Sequence, residues 1–346
     1  MDFHRHDHRK KDGRSLYLYS REQRDYTVTN DVEGPYAPNP HLRWHPLRRE
    51  WVAYNAGRNT RTLNPPKDFN PLAPVQVDGF PGEIPVTDFE VAVFENRWPG
   101  LAMHAVGLGD DDRPAAKGAC EVVVYSTNDE GSLHDLPVDH IALLLQAWAD
   151  RYRALSMAPE VQYVLPFESR GAHVGVTLPH PHGQIYAFPF LPPMIERQAR
   201  AQMENQTLTR LVHAPDPAFV LEDRPHSVTL CPEYGRYPYE CWIMPKERVA
   251  APDEMSDAAL MDFAEALKRT QKRLDGLFGG KTPLVMWCAL PPKGFESSWP
   301  FHIQIWPMQR GENKFKFLAS VEQITGVYLV DVLPEEAAEQ LREIEI

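Results

Sequence analysis

The chain has 346 residues, of which 43% are apolar, and a formal net charge of −12. This length permits two domains or one large duplicated unit, and the apolar fraction is sufficient for a sizeable core. The acidic balance disfavours general binding to nucleic acid or to anionic membranes, so a phosphate ligand would need a local basic pocket.

The first 14 residues are charged and rich in histidine. They predict a solvated tail inside an N-terminal extension of residues 1–40, with metal binding by the histidines as the alternative. Two strand-like segments follow at 88–99 and 120–126, and apolar residues at helical spacing predict a helix over 138–156. Two further strand-like segments lie at 161–167 and 173–188.

The same order of elements then returns. Strand-like segments at 227–234 and 239–247 precede a predicted helix that begins after Ser256, a residue suited to an N-cap. Segments 283–292 and 299–307 again resemble strands, and a short helix is expected after Pro334. The repeated order predicts an internal duplication and an α+β fold, in which antiparallel sheets carry helices packed on one side.

The number and spacing of the cysteines bear on the cellular compartment of the protein. The four cysteines form no C-x-x-C pair, and their spacing fits neither a zinc knuckle nor a secreted disulfide framework. No apolar run reaches the ~18 residues that a membrane span requires, and the N-terminus lacks an apolar signal segment. We therefore expect a cytoplasmic protein with free thiols and with neither membrane nor nucleic-acid partners.

The segment "LPHPHGQIYAFPF" at 178–190 carries the clearest functional pattern. His180, His182 and Gln184 are spaced two apart, so in a strand they point to the same face. Pro181 cannot donate to a sheet ladder and suits a strand start or an edge, and Gly183 permits close approach of another group. This combination favours a binding or catalytic face over a solvated polar strip.

The second copy contains the related segment "FHIQIWP" at 301–307. Here His302, Gln304 and Trp306 are expected at the positions of the first copy's His180, His182 and Gln184. On this alignment the second copy has lost its middle histidine. Only the first copy is then expected to be catalytic.

A neutral imidazole attacks phosphorus well near pH 7 and also leaves well. One ring nitrogen of His182 would attack, while the other would donate to a backbone carbonyl such as that of His180. Gln184 can donate to a phosphate oxygen without delivering an acidic proton. This pattern favours a transferase whose covalent intermediate waits for a second substrate.

The H-P-H-G-Q motif at 180–184 resembles the signature of the galactose-1-phosphate uridylyltransferase family, a branch of the histidine-triad superfamily, and the resemblance extends over residues 41–346. It implies two histidine-triad-like halves, an active first half at 41–190 and a degenerate second half at 191–346. It also implies a double displacement. His182 takes the uridylyl group of UDP-glucose and releases glucose 1-phosphate, and galactose 1-phosphate then accepts the group.

Further site residues are implied by the same resemblance. Arg58 and Arg61 match an arginine pair that reaches the substrate phosphates across a dimer interface, which implies a homodimer with shared active sites. Asn96 matches a residue near the uridine, Trp98 stands where phenylalanine is usual, and Ser169 replaces an asparagine. The remaining matches are nucleotide, phosphate or sugar contacts: Phe167, Gly175, Thr177, Lys316, Phe317 and Glu322.

Well-known members of the family bind zinc and a second metal, and this chain departs from both ligand sets. The C-x-x-C position reads "NPLA" at 70–73, a distant histidine position falls near Asp129, and only His180 remains. The second set reads Gln198, Cys288, His302 and Gln304. Zinc requires three or four soft or imidazole ligands, so no metal cofactor is expected. Asn70 and Asp129 would hold His180, and Gln198 would pair with Gln304 around His302.

Two alternatives remain open at this point. One is a relative that transfers adenylyl groups, such as an ADP-sugar or dinucleotide phosphorylase, because nothing in the motif reads the base. The other is a catalytically silent nucleotide-binding scaffold, which the lost metal ligands favour and the intact His182 and Gln184 disfavour.

Overall fold

The computed structural model describes residues 2–60, 70–109 and 112–346. The strands in this part of the chain are β1 (His4–Arg9), β2 (Ser15–Ser20), β3 (His41–His45), β4 (Glu50–Tyr54), β5 (Val91–Glu95), β6 (Ala119–Val124), β7 (Tyr163–Arg170), β8 (His182–Phe188), β9 (Val220–Asp223), β10 (Ser227–Leu230), β11 (Cys241–Pro245), β12 (Leu284–Ala289), β13 (His302–Pro307), β14 (Gln309–Gly311) and β15 (Lys314–Phe315). The helices are α1 (Val138–Ser156), α2 (Pro193–Asn205), α3 (Thr207–His213), α4 (Asp257–Leu277), α5 (Ser320–Thr325) and α6 (Pro334–Arg342).

Most strands join one antiparallel sheet in the order β1-β2-β5-β6-β8-β7-β12-β13-β11-β10-β9. Its central part is a mirrored repeat. The first half contributes β5-β6-β8-β7, and the second half continues with β12-β13-β11-β10. In each half two strands precede a long helix, α1 or α4, and two strands follow it. This confirms the predicted α+β class with duplicated units, and it shows that the two units share a single sheet.

The pairing register aligns the two halves residue by residue. In the first half, Phe167 of β7 faces Gln184 of β8. In the second half, Trp287 of β12 faces Gln304 of β13. Gln184 and Gln304 are therefore equivalent positions, and the two halves are offset by a constant number of residues along these strands.

This register corrects the expected alignment of the histidines. His182 is the first residue of β8 and His302 is the first residue of β13, so His302 is the counterpart of His182 and not of His180. The second half has kept its middle histidine and has proline at the position of His180. The sequence pattern could not reveal the error, because a shift of two residues leaves every side chain on the same face of a strand.

Helices α1 and α4 pack on one face of the sheet and form the main core with alternate residues of the strands, among them Ile141, Leu144, Trp148, Ile185, Phe263, Leu267 and Ile303. The other face also carries helices. Ala199 of α2 packs with Trp287 and Trp299, and Leu208 of α3 packs with Leu230. The expectation that helices lie on one side thus holds for α1 and α4 and is wrong for α2 and α3. Their apolar positions are few, and the sequence pattern did not predict either helix.

The N-terminal segment is a β-hairpin and not a solvated tail. Strand β1 pairs with β2, and β2 pairs with β5 of the main sheet. Leu16 and Leu18 alternate along β2 and are buried against Phe94. This period-two burial, present in the sequence "SLYLYS", explains why the charged start of the chain becomes ordered.

The two long helices occur where their periodicity predicted them. Ser256 is the N-cap of α4, and its hydroxyl accepts a hydrogen bond from the amide of Ala259 at 3.2 Å. Among the described residues, no helix combines the length and the apolarity needed to cross a lipid bilayer.

Candidate active site

His182 stands at the point where the chain enters β8. Pro181 precedes it directly, as its missing N–H predicted for a strand start, and β8 lies between β6 and β7 in the middle of the first half. The Nδ1 atom of His182 lies 2.7 Å from the carbonyl oxygen of His180. A carbonyl can only accept, so Nδ1 carries the proton and Nε2 carries the lone pair. This is the tautomer that a nucleophilic imidazole requires.

The strand behind His182 is packed tightly. A Cβ on Gly183 would lie 2.5 Å from the hydroxyl oxygen of Tyr125 and 2.7 Å from the carbonyl oxygen of Phe167, so only glycine fits. The Tyr125 hydroxyl donates to the carboxylate of Glu168 at 3.1 Å. Burial raises the pKa of Glu168 to about 7. The close approach predicted for Gly183 is therefore to neighbouring protein groups, and it fixes the backbone that carries the nucleophile.

A cavity of about 500 Å³ opens in front of His182, on the sheet face opposite α1 and α4. His182 and Gln184 share this face, as the alternation predicted, because they pair with Val124 and Val122 of β6. The cavity is lined by these two residues together with Val32, Arg58, Leu72, Glu83, Phe94, Asn96, Arg97, Trp98, Val122, Thr177, Leu178 and Tyr186, among others. Apolar walls with a few convergent polar groups are typical of a small-molecule site.

The polar groups at one side of this cavity come from the turn after β5. The amide of Trp98 donates to the side-chain oxygen of Asn96 at 2.8 Å, and Nη1 of Arg58 donates to the carbonyl of Trp98 at 2.9 Å. The guanidinium of Arg97 lies over the Trp98 ring, 5.7 Å from its centroid. Arg58 and Arg97 supply positive charge next to His182 in an otherwise acidic protein, which suits a phosphate ligand.

A second, smaller cavity of about 260 Å³ borders the other side of His182. It is lined by Ser169, Thr177 and His180 among the predicted residues, and by Glu168, Arg170 and Lys281. His182, Thr177 and Leu178 border both cavities. His182 thus lies between two compartments.

His180 lies just before β8 and is 1% exposed. Its Nε2 lies 2.8 Å from the carbonyl of Ser126, so Nε2 carries the proton, and its Nδ1 accepts from the amide of Asn70 at 3.0 Å. Burial lowers the pKa of His180. The expected role of Asn70 agrees with this geometry. The expected direct contact with Asp129 is wrong, because both ring nitrogens of His180 have other partners. The Asp129 carboxylate lies instead 3.5 Å from the amide nitrogen of Asn70.

The donor set around His180 does not fit zinc. Both ring nitrogens of His180 are engaged by protein groups, and its polar neighbours are an amide and a single carboxylate. Among the described residues, no group of three or more histidine, cysteine or acidic side chains is arranged to hold a metal ion.

The four residues at the positions of the family's second ligand set do not converge on one point either. His302 is buried, its Nδ1 lies 3.1 Å from the carbonyl of Pro300, and its Nε2 accepts from the amide of Gln304 at 3.0 Å. The carbonyl of the Gln304 amide accepts from Trp306, so Trp306 and not Gln198 completes this group. Cys288 belongs to the core on the opposite face of the sheet.

The surroundings of His302 leave no room for a substrate. The rings of Trp242, Trp287 and Trp299 lie 5.7–6.2 Å from its ring centroid. Complete burial lowers the pKa of His302 to about 4. The second half therefore repeats the local geometry of His182 inside a filled aromatic core, which is consistent with the expectation that only the first half is catalytic.

Several predicted substrate contacts lie away from the two cavities. Phe167 packs edge-on against Tyr186, a residue that lines the larger cavity. Gly175 lies in the loop between β7 and β8, with a left-handed backbone (φ 82°) that favours glycine. Arg61 lies outside the described residues.

The predicted sugar-contact segment is also outside both cavities of its own chain. The Lys316 ammonium is 2.5 Å from the Glu322 carboxylate and 2.5 Å from the carbonyl of Leu329. Phe317 is 58% exposed. None of the three predicted residues Lys316, Phe317 and Glu322 lines either cavity that borders His182 within the described part of the chain.

The sequence pattern missed Glu83, Arg97 and Lys281. Arg97 lies between two predicted residues, Asn96 and Trp98, so its position in the sequence could have indicated that it lines the site. Glu83 and Lys281 lie in irregular segments, where no periodicity indicates which way a side chain points.

Comparison with known proteins places the chain in a family. The sequence model of the N-terminal domain of galactose-1-phosphate uridyl transferase matches residues 29–192. The galactose-1-phosphate uridylyltransferase of Thermotoga maritima is 35% identical over 319 residues, which cover 88% of this chain and 98% of the relative. The enzyme of the same name from Streptomyces lividans is 32% identical, with 97% of this chain and 96% of the relative covered.

A solved structure described as that of a uridylyltransferase superposes with a TM-score of 0.74, at 26% identity, over 87% of this chain and 97% of the other. The chain belongs to the galactose-1-phosphate uridylyltransferase family. These relatives are transferases, and the protein is an enzyme of this class.

Proposed function

We propose that this enzyme moves UMP between UDP-hexose and hexose 1-phosphate through a uridylyl group bound covalently to His182. The observation that carries the proposal is the position of His182. It lines two adjoining cavities, and its Nδ1 lies 2.7 Å from the His180 carbonyl, which leaves the lone pair on Nε2. The names of the relatives supply the identity of the transferred group.

In the first step the lone pair of Nε2 attacks the α-phosphorus of UDP-glucose. The bond between that phosphorus and the bridging oxygen breaks, and the bridging oxygen leaves with glucose 1-phosphate. Nδ1 keeps its proton, and its hydrogen bond to the His180 carbonyl stabilises the positive charge that develops on the ring. In the second step a phosphate oxygen of galactose 1-phosphate attacks the same phosphorus, and Nε2 leaves with its electron pair.

The surrounding residues have separate roles in this proposal. Arg58 and Gln184 offset charge on the phosphate oxygens as the phosphorus changes partners. Asn96 and Trp98, with the apolar wall that includes Leu72 and Phe94, hold the nucleoside. The first leaving group is a phosphate oxygen of glucose 1-phosphate and the second is Nε2 of His182. Both depart without taking up a proton, so the absence of an acidic proton on Gln184 is no obstacle.

The experiment is intact-mass spectrometry after incubation with UDP-glucose and, separately, with ADP-glucose. We expect a uridylyl adduct with UDP-glucose in the native enzyme and no adduct in His182→Ala, which should also lose transfer to galactose 1-phosphate. His182→Asn should behave like His182→Ala.

An adenylyl adduct in place of a uridylyl adduct would make the enzyme an ADP-sugar phosphorylase-type relative. Nucleotide binding without any adduct would make it a silent scaffold. Full turnover by His182→Ala would show that another residue is the nucleophile.

We also propose that the enzyme works without a metal cofactor. Asn70 and the Ser126 carbonyl satisfy both ring nitrogens of His180, and Gln304 satisfies Nε2 of His302. Purified untagged protein should keep its activity after treatment with EDTA or 1,10-phenanthroline. Stoichiometric zinc or iron that is removed together with activity would contradict this proposal.

We further propose a homodimer whose active sites receive residues from both chains. Phe317 and the apolar side chains that follow it are exposed in the single chain, among them Val321, Ile324, Val327 and Leu329. A contiguous exposed apolar segment suits an interface with another protein surface. Arg58 already lines the cavity of its own chain, so the shared contribution is expected from the C-terminal segment around Phe317.

A further inference from the structure

The loop of the N-terminal hairpin contacts the wall of the larger cavity that borders His182. The sequence model of the family begins at residue 29, after β1 and β2, yet these strands join the sheet beside β5. The loop between them places two cations, Lys10 and Arg14, against the cavity wall. Both side chains have no exposed surface. Such burial of charged groups needs a compensating partner.

Arg14 pairs with Asp12 of the same loop at 2.8 Å, and the partner that both cations share is Glu83, a residue of the cavity wall. Its carboxylate lies 2.7 Å from the Lys10 ammonium and 2.7 Å from Nη2 of Arg14. Lys10 also donates to the backbone carbonyl of Glu83 at 2.8 Å. The amide of Glu83 donates in turn to the carbonyl of Pro71, next to Leu72 in the cavity wall. The hairpin loop therefore holds one wall segment through several short contacts.

Arg14 connects this segment to a second part of the wall. Its Nη1 donates to the carbonyl of Glu95 at 2.8 Å, and the amide of Ser15 donates to the Glu95 carboxylate at 2.7 Å. Glu95 is followed directly by Asn96, which lines the cavity. One planar guanidinium thus contacts Glu83 in the cavity wall and the residue that precedes Asn96, a geometry that lysine cannot reproduce.

We propose that Arg14 is a positioning residue for nucleotide binding, acting through Glu83 and Glu95 on the walls of the cavity. The proposal rests on the proposed function, because the cavity is taken to hold the nucleotide. Arg14 does not touch the reacting atoms. Its loss should therefore weaken binding of the nucleoside more than it slows the chemistry at His182.

The test compares Arg14→Met and Arg14→Lys with the native full-length enzyme. Arg14→Met should raise the Kd for UMP, measured by calorimetry, and the KM for UDP-glucose about tenfold, while kcat changes little. Arg14→Lys keeps one ion pair and should recover part of this loss. Glu83→Gln should weaken UMP binding in the same direction. The Kd of the double variant Arg14→Met, Glu83→Gln for UMP should not exceed that of the single variant with the higher Kd, because the two residues act as one unit.

Arg5→Met is the matched control. Arg5 belongs to the same hairpin but pairs with Asp150 of α1, on the other face of the sheet, at 2.9 Å. It should leave the Kd for UMP unchanged. An equal rise of Kd in Arg5→Met would show that loosening the hairpin alone is responsible, and native affinity in both Arg14 variants or in Glu83→Gln would overturn the assignment.

These results separate the two proposals. If the native enzyme binds UMP but forms no adduct, the proposed transfer fails, and the Kd series still decides the role of Arg14. If the native enzyme forms the adduct and the Arg14 variants bind UMP normally, only the positioning role fails. A native enzyme that binds no nucleotide would overturn both.

Discussion

His182 and His302 show how one local geometry serves two purposes. Each opens its strand, and each points Nδ1 at the carbonyl two residues earlier, at 2.7 Å and 3.1 Å. They differ in their surroundings. A cavity lies in front of His182, whereas the Gln304 amide and three tryptophan rings enclose His302. The chemistry of the histidine is therefore set by its surroundings and not by the motif.

The burial of His302 makes stability depend on pH. Its pKa falls to about 4 in the folded chain from an ordinary value of 6.5. The unfolded chain therefore binds more protons between these values. The stabilisation is fully present above pH 6.5 and is lost as the pH falls towards 4, by about 2–3 kcal/mol at pH 4.5.

The measurement is the free energy of unfolding in urea at pH 7.5 and at pH 4.5. The native chain should lose about 2–3 kcal/mol more over this interval than His302→Gln, which has no titrating ring. Other groups titrate equally in both proteins and cancel in the comparison. Identical pH dependence in the two proteins would show that His302 is not held neutral by burial.

At the level of elements, the predictable parts are those with a strong local pattern. Helices α1 and α4 have long apolar stripes and bury them against the sheet. Helices α2 and α3 bury few residues. Helix α2 packs with residues from both halves of the sheet, and α3 packs with strands of the second half. A segment with few apolar contacts carries little periodic signal, so its helix could not be read from sequence.

The N-cap of α4 gives a direct test at this scale. Ser256→Ala removes the hydrogen bond to the Ala259 amide and should reduce the free energy of unfolding by about 1 kcal/mol. Ser256→Asp retains an acceptor at the positive end of the helix dipole and should keep native stability. Equal melting temperatures for the native, alanine and aspartate proteins would mean that solvent satisfies this amide as well as the serine does.

At the level of the whole molecule, the proposed dimer predicts that residues of the C-terminal segment cross between chains. Arg58 lines the cavity of its own chain, whereas Phe317 lies outside both cavities that border His182 in that chain. In a dimer with shared sites, a mixed pair of His182→Ala and Phe317→Ala chains would contain one site with both residues intact. We therefore expect mixing of these two inactive or weakened proteins to restore activity.

Mixing His182→Ala with Arg58→Ala chains is the matched control. If Arg58 serves its own chain, every mixed site lacks either the nucleophile or the arginine, so activity should not recover. Subunit exchange must be shown separately, for instance by native mass spectrometry. Recovery only in the Arg58 mixture would reverse the assignment and place Arg58 across the interface, as the family resemblance first implied.

The sequence by itself determined the duplicated α+β fold, the two long helices, the cap at Ser256 and the H-P-H-G-Q strand start. These features arise from spacing along the chain, and spacing of two or 3.6 residues directly sets which side chains share a face. The family resemblance also identified His182, Gln184 and four further residues that line the larger cavity, namely Arg58, Asn96, Trp98 and Thr177.

Only the tertiary structure decided the rest. It aligned His302 with His182 through strand pairing, and it placed the Lys10, Arg14 and Glu83 group behind the cavity. It also showed that Asn70, and not Asp129, holds His180. The physical reason is the same in each case. These contacts join residues far apart in the chain, and their partners are chosen by three-dimensional packing and by the need to satisfy buried polar groups.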